Sequence, residues 1–299
     1  MILTYYKEPN FGDAINPLIF NQLLPDFFDQ KDQSLFLGIG SILGLFHGSI
    51  NTRRIVVCSS GFAYGQMPEL NHRYDIRCVR GPLTAKALKL PAHLAVTDGA
   101  VLLRLLDEFK VPVSKKYPFS FIPHHHSEKV YDQWQELLPE VDMHYISPRL
   151  EAHQAITQIR QSECIVAEAM HGAIIADAFR IPWIPVKMFQ HINAFKWQDW
   201  MLSMQMKYAP HQLSSLFGDS WIRHMISTER FPFDKKGIIA SALTPAYKKY
   251  QDLYKKKKFI RELKAIREKE PVLSNESLLE SRVDQLQQIL YEIRNTYTS

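Results

Sequence analysis

Cysteine is scarce in this chain: Cys58, Cys78 and Cys164 are the only three in 299 residues. The count is odd, no spacing suggests a pair, and each thiol lies in an apolar run. A disulfide scaffold is therefore excluded, and buried thiols in a reducing compartment are expected. Long apolar runs are also missing, since none approaches the ~20 residues of a membrane-spanning helix. Met1–Tyr6 gives way at once to polar residues, which predicts no secretory leader and a cytoplasmic protein. Gly38-Ile39-Gly40 has no third glycine at the dinucleotide-binding spacing, so it is no nucleotide fingerprint. It more readily lets backbone approach substrate or a neighbouring strand. The net charge is only +5. Many of the lysines lie beyond residue 234, which suits an anionic surface but does not call for nucleic acid.

A metal cluster is not expected either. His124-His125-His126 stand side by side, but neighbours on an extended segment point to opposite sides. No acidic or cysteine partner has ligand spacing nearby. No metal and no cofactor are expected, and a substrate-facing His124 or His126 is the better reading.

What is present is a compact unit, residues 163–186 (ECIVAEAMHGAIIADAFRIPWIPV). Cys164–Val166 suits a buried strand. Met170-His171-Gly172 forms the turn, and Ala173–Phe179 is apolar on every side except Asp177, as in a buried helix. Pro182 stops that helix, and Trp183, Ile184 and Val186 start another strand. Such a unit implies a right-handed parallel crossover with its turn at the carboxyl end of the first strand. His171 and Gly172 would open a helix whose N–H groups and dipole favour an anion, and Gly172 would let that anion approach.

The pattern repeats upstream. Strands are expected at Ile2–Tyr6, Leu35–Ile39, Ile55–Cys58, Ile76–Val79 and Leu94–Val96. Helices are expected after Asn16-Pro17, at Ile42–Phe46 and at Thr84–Leu88. Together these imply a doubly wound sheet over residues 1–106. Asp107–Pro118 reads as a linker. Beyond it come a strand at Phe119–Ile122, a helix at Tyr131–Leu138, a strand at Val141–Ile146 and a helix at Leu150–Gln161. The aromatic helix around Phe195–Trp200 is of a kind that often returns to the first domain. The domains are therefore read as 1–110, 111–234 and a basic helical extension, 235–299. In that extension Tyr250, Leu253, Tyr254, Phe259, Ile260, Leu263 and Ile266 interleave with lysines and arginines from Lys248 to Lys269. It is either a helical tail packed on the body or on a second copy, giving a homo-oligomer, or an anchor to an anionic membrane surface.

Individual residues keep two readings. Asp13 can cap a helix or act in a cleft. Arg80 can form a structural ion pair, with Asp98 a candidate, or fork a carboxylate or phosphate.

The 163–186 unit, with Asn10-Phe11-Gly12-Asp13, Gly38-Ile39-Gly40-Ser41, Val79-Arg80-Gly81-Pro82-Leu83-Thr84 and Thr97-Asp98-Gly99-Ala100, resembles the polysaccharide pyruvyl transferase family. It is most similar to the branch that forms the pyruvate ketals of xanthan and succinoglycan. The resemblance covers roughly residues 5–190. It implies an α/β fold of two Rossmann-like domains facing a cleft, as in GT-B glycosyltransferases. It also implies pyruvate transfer from phosphoenolpyruvate to a lipid-linked oligosaccharide at the inner face of the cytoplasmic membrane.

The chemistry this implies assigns roles. His171 is the acid, Asp13 the base for the sugar hydroxyl, and Glu168 a second acid or base. Arg80, Met170, Gly172 and Lys187 form the donor site, while Gly12, Gly40, Ser41, Asp98, His124 and His126 face substrate. Many relatives carry an arginine two residues before this histidine. Ala169 and Met170 precede His171 here, so Lys187, Arg180 or the 124–126 histidines would have to supply that charge. Two rival functions remain: a GT-B glycosyltransferase using a nucleotide sugar, and a non-enzymatic scaffold of polysaccharide assembly.

Overall fold

A computed structural model describes residues 1–29, 33–46, 51–190, 192–218, 245 and 248–298. The first lobe contains β1 (Ile2–Thr4), α1 (Phe11–Leu23), β2 (Leu35–Leu37), β3 (Ile55–Ser60), β4 (Tyr74–Val79) and α2 (Pro82–Ala87). Its four strands are parallel and lie in the order β1-β2-β3-β4. Every residue of β3 is buried, as in a parallel strand covered on both faces. The order follows the chain, without the reversal that a doubly wound sheet would show in this lobe.

Asn10, not Asp13, caps α1, its side chain accepting from the Gly12 N–H at 3.1 Å. Pro17 lies inside this helix and has no N–H for the Asp13 carbonyl. The Asn16 side chain supplies the missing bond at 2.9 Å. The same amide donates to the Ile39 carbonyl and accepts from the Ile39 N–H, tying α1 to the end of β2.

Two expected elements do not form. Residues 42–46 make a turn, because their backbone pairs with a neighbouring loop: Leu43 donates to Gly61, and Gln66 to Gly44. In place of a strand at Leu94–Val96, a short 3-10 helix at Ala92–Leu94 leaves one bridge from Ala95 to Val79. Residues Gly99–Leu105 form another 3-10 helix, with Asp98 at its cap.

The second lobe contains β5 (Tyr117–Ile122), α3 (His125–Val130), α4 (Trp134–Leu137), β6 (His144–Tyr145), α5 (Ala152–Arg160), β7 (Ser162–Ala167), α6 (Met170–Ala178), β8 (Trp183–Lys187), α7 (Ala194–Ser203) and β9 (His211–Gln212). These strands are also parallel, in the order β6-β5-β7-β8-β9. The order reverses between β5 and β7, which is where open α/β sheets bind ligands. The expected helix at Tyr131–Leu138 is split. Its first part moves upstream into α3, so the histidine run starts a helix rather than ending a strand.

One buried apolar cluster joins the lobes. It runs from Phe36, Val56 and Cys58 through Ala100–Leu103 to Ile165, Ala167 and α6. The tail completes it. Helix α8 (Lys256–Ile266) buries Phe259, Leu263 and Ile266 beside Phe121 and Trp134. Helix α9 (Glu276–Thr298) buries Leu279, Val283, Leu286, Leu290 and Ile293 in the cluster that joins the lobes.

The start of α9 is latched to the second lobe. The buried Asp177 carboxylate accepts from the Ser274 N–H at 2.8 Å, the Ser274 hydroxyl at 2.5 Å and Trp183 Nε1 at 3.2 Å. Its far end meets the first lobe, where the Tyr297 hydroxyl donates to Asp75 at 2.7 Å. The apolar stripe of α8 is therefore core and is not available to enter a headgroup layer. No helix among the described residues is long and apolar enough to cross a membrane. The expected boundary at 234/235 lies outside the described residues.

Candidate active site

A cleft of about 480 Å³ opens between the lobes. Its walls are the loops that leave the carboxyl ends of strands in both sheets. Asn10 and Asp13 lie in and just after the loop from β1, Ser41 follows β2, and Tyr64 follows β3. From the other lobe come His124–His126 after β5 and Met170-His171 after β7. The cleft thus sits over the β5/β7 reversal.

His171 lies in the first turn of α6, whose cap Ala169 has no side-chain acceptor. Met170 and His171 of that turn line the cleft, and the first N–H groups of a helix have no partner within the helix. The imidazole is wedged between two residues of the first lobe. On one side is Gly12, where an added Cβ would lie 2.2 Å from His171 Nδ1. On the other is Asp98, whose Oδ2 is 3.7 Å from His171 Nε2. Both of these atoms are buried and neither has a hydrogen-bond partner. Asp98 is fully buried, and its other oxygen accepts from the Ala100 N–H at 3.0 Å. Burial alone would raise its pKa. The adjacent His171 imidazole, the Arg80 charge and the Ala100 N–H outweigh burial and hold it below the usual carboxylate range.

Asp13 faces the same cleft and accepts from the Asn10 amide at 2.6 Å. Burial raises its pKa, against the pull of His171, Lys196 and Asn10. A carboxyl biased toward holding a proton, in the wall of a cleft, has the character of a general base or acid. Gly40, at φ +123°, gives its carbonyl to Gly61 N and the Ser60 hydroxyl, so its turn serves a neighbouring strand.

Several expected site residues lie outside the cleft. Arg80 is fully buried and pairs with Asp199 at 3.1 Å, not with Asp98. It also donates to the Ser41 hydroxyl at 2.6 Å and packs on Gly61. Gly172 lies against Ile122, so its missing side chain serves helix–strand packing rather than anion approach. Glu168 is fully buried below the cleft, where its oxygens accept from the N–H groups of His124 (3.0 Å) and Met188 (2.8 Å). Burial raises its pKa, while those bonds oppose the rise. It braces two loops. Lys187 does not line the cleft, and Arg180 is committed to the tail through Ser274 and Glu276.

The structure also brings in residues that no motif marked. Lys196 of α7 lines the cleft, with its Nζ 3.4 Å from His124 Nε2. Lys129 and Arg149 stand at the rim. Helix α7 does return to the first lobe. Asp199 accepts from the Thr84 N–H (2.9 Å), the Thr84 hydroxyl (2.6 Å) and Arg80. In the histidine run, His124 caps α3 and its Nδ1 accepts from the His126 N–H at 3.3 Å. Burial and nearby Lys196 and Lys129 bring His125 down to about 4, so it is neutral near pH 7. No group of three or more His, Cys, Asp or Glu among the described residues could hold a metal ion.

Fold and cleft together define an α/β protein whose cleft, lined by His171 and Asp13, lies at the carboxyl ends of parallel strands. A model of the polysaccharide pyruvyl transferase family matches residues 53–187. The chain is also 41% identical over 214 residues to the succinoglycan biosynthesis protein ExoV of Rhizobium meliloti (strain 1021), covering 70% of this chain and 67% of that one. This chain belongs to the polysaccharide pyruvyl transferase family, and it is a transferase.

Proposed function

We propose that the enzyme transfers pyruvate from phosphoenolpyruvate to a sugar of a lipid-linked oligosaccharide in exopolysaccharide or capsule assembly. The observation that carries this reading is the meeting of His171, backed by Asp98, with Asp13 in one cleft at the start of α6. The cleft volume falls in the range of ordinary ligand sites, which are about 300–1,000 Å³.

The reaction makes a cyclic ketal. A proton adds to the methylene carbon of phosphoenolpyruvate, leaving positive charge at C2. One sugar hydroxyl attacks C2 and loses its proton. The C2–O bond to phosphate then breaks, and a second hydroxyl closes the ring. One released proton replaces the one consumed, and the other leaves with phosphate. An imidazole can deliver a proton near neutral pH, which suits His171 beside the anionic donor. Asp13, across the cleft, suits the role of base for the hydroxyl. The opening of α6 offers N–H donors to the carboxylate or phosphate. No cofactor is needed.

In this reading the two lobes act as GT-B-like, Rossmann-type halves, divided near residue 110, with the acceptor entering between them. A lipid-linked acceptor brings the enzyme to the cytoplasmic face of the membrane. The exposed part of the tail supports such contact. Tyr250, Leu253 and Tyr254 are exposed next to the exposed bases Lys257, Lys258 and Arg261.

The test is phosphate release from phosphoenolpyruvate with a lipid-linked oligosaccharide as acceptor. Release that needs both substrates, and falls by ~10²–10⁴-fold in His171→Ala, is expected for loss of an acid. Wild-type turnover by folded His171→Ala would refute the assignment.

A further inference from the structure

Three cations line the cleft, and two are already paired at its rim. Arg149 lies 2.7 Å from Glu128, and Lys129 lies 4.0 Å from Glu8. Both are well exposed. Lys196 differs. It is half-buried, and among the described residues no carboxylate lies within ion-pair distance of it. Its neighbours are His124 Nε2 at 3.4 Å and the face of Tyr64, 5.9 Å from ring centre to Nζ. A half-buried ammonium in no direct ion pair, with only the more distant Asp13 and Glu168 carboxylates to support it, gains from a further negative charge in the cleft.

The fold also holds Lys196 in place. Asn193 caps α7, accepting from the Phe195 N–H, and its amide donates to the Ala63 carbonyl at 3.0 Å. Asp199, on the same side of the helix one turn on, is locked to Thr84 and Arg80. Gly81 permits this docking, since a Cβ there would lie 2.1 Å from the Asp199 carbonyl oxygen. The buried Arg80 thus acts at the cleft through Asp199 and α7, as a positioning residue.

We propose that Lys196 binds the phosphoryl group of the donor, with the Arg80–Asp199–Thr84 cluster fixing its position. This rests on phosphoenolpyruvate being the donor. A lysine suits a phosphate as a compact point charge with several donors. It would also meet the charge that builds on the bridging oxygen as the C2–O bond breaks. Burial and the Arg80 charge bring the Lys196 ammonium down to about 8, with Asp13 and Glu168 opposing them. A bound phosphate dianion raises it again, so binding at pH 8 takes up protons.

Titration calorimetry on the full chain tests this with three probes: phosphoenolpyruvate, inorganic phosphate and pyruvate. Wild type is compared with Lys196→Met and Lys196→Arg, in two buffers of different ionisation enthalpy at pH 8. Lys196→Met should weaken phosphoenolpyruvate and phosphate by about tenfold or more, as expected for a lost charge-assisted contact, and leave pyruvate unchanged. It should also abolish the buffer-dependent proton uptake. Lys196→Arg should retain most of the affinity. Without ligand, Lys196→Met should melt no lower than wild type, because it removes a half-buried charge that no direct ion pair holds. Wild-type affinity for phosphoenolpyruvate in Lys196→Met, or loss of pyruvate with phosphate retained, overturns the assignment. Failure of the wild type itself to bind phosphoenolpyruvate overturns the donor reading instead.

Discussion

Gly12 and His171 are in contact across the lobe boundary: the glycine presents bare backbone to the imidazole, and a methyl there would lie 2.2 Å from Nδ1. The lobes therefore approach each other at the residue proposed above as the acid.

Gly12→Ala should push the His171 ring off Asp98. Overpacking of this kind costs typically 1–3 kcal/mol, and misplacement of a reacting group can cost ~10²-fold in rate. Melting curves and phosphate release check both parts. A variant with unchanged kcat would show that the ring tolerates displacement.

Asp13 and Asp98 should respond to pH with opposite signs. The folded pKa of Asp13 is raised, so its contribution to stability is complete below the unfolded value and lost as pH rises through the folded one. Asp13→Asn should therefore raise the Tm at neutral pH, with no gain in acid, while activity is lost. The folded pKa of Asp98 is depressed, so its contribution is present above the unfolded value and lost as pH falls through the folded one. Asp98→Asn should lower the Tm at neutral pH, by less as the pH falls below the usual carboxylate range. Tm measured against pH for the two variants checks this, and shifts of the same sign would contradict it.

Asp199→Ala should destabilise the fold by about 3–5 kcal/mol, because it leaves the buried Arg80 charge without its ion-pair partner and with only the Ser41 hydroxyl to receive it. Denaturant unfolding measures the loss. A change under 1 kcal/mol would mean that water or a rearranged chain reaches Arg80.

Chelation should leave activity intact. The His124 cap spends Nδ1 on the His126 N–H, and Nε2 faces a lysine rather than a carboxylate or thiol. Loss of turnover in EDTA, restored by a divalent ion, is the contrary result.

The exposed bases of α8 should govern membrane contact. Replacing Lys257, Lys258 and Arg261 with Glu should abolish co-sedimentation with anionic vesicles and leave the Tm nearly unchanged. Each such base contributes about 1 kcal/mol near an anionic surface, and binding should weaken with salt. Equal sedimentation of wild type and variant would place the contact elsewhere.

The 163–186 unit was readable because its evidence is local: an apolar run, a His-Gly turn, a buried helix and a proline stop lie within one crossover. The aromatic stretch marks α7 as a helix, while its return to the first lobe is expected only by analogy with late helices in other two-domain enzymes. Partners distant in sequence were not readable. Nothing near Arg80 points to Asp199, and nothing near Lys196 shows that α7 will turn it toward His124. The histidine run misled because its flanks look extended, while His124 can cap a helix with its ring. Residues 42–46 have helical spacing, yet the loop after β3 captures their backbone. Glu168 stands beside the His-Gly turn in sequence, but the N–H groups of two loops draw it below the cleft. The tail stripe from Phe259 to Ile266 fits a membrane face and a core equally well, and only the second sheet decides between them.

Helix α9 completes a core begun by strands near the other end of the sequence, and this orders events during synthesis. While β1 to β4 leave the ribosome, the apolar surface that Leu286, Leu290 and Ile293 will cover has no partner. That surface stays uncovered through translation of the whole second lobe. The nascent chain therefore carries an exposed apolar surface for most of its synthesis, the period in which a holding chaperone has most to bind.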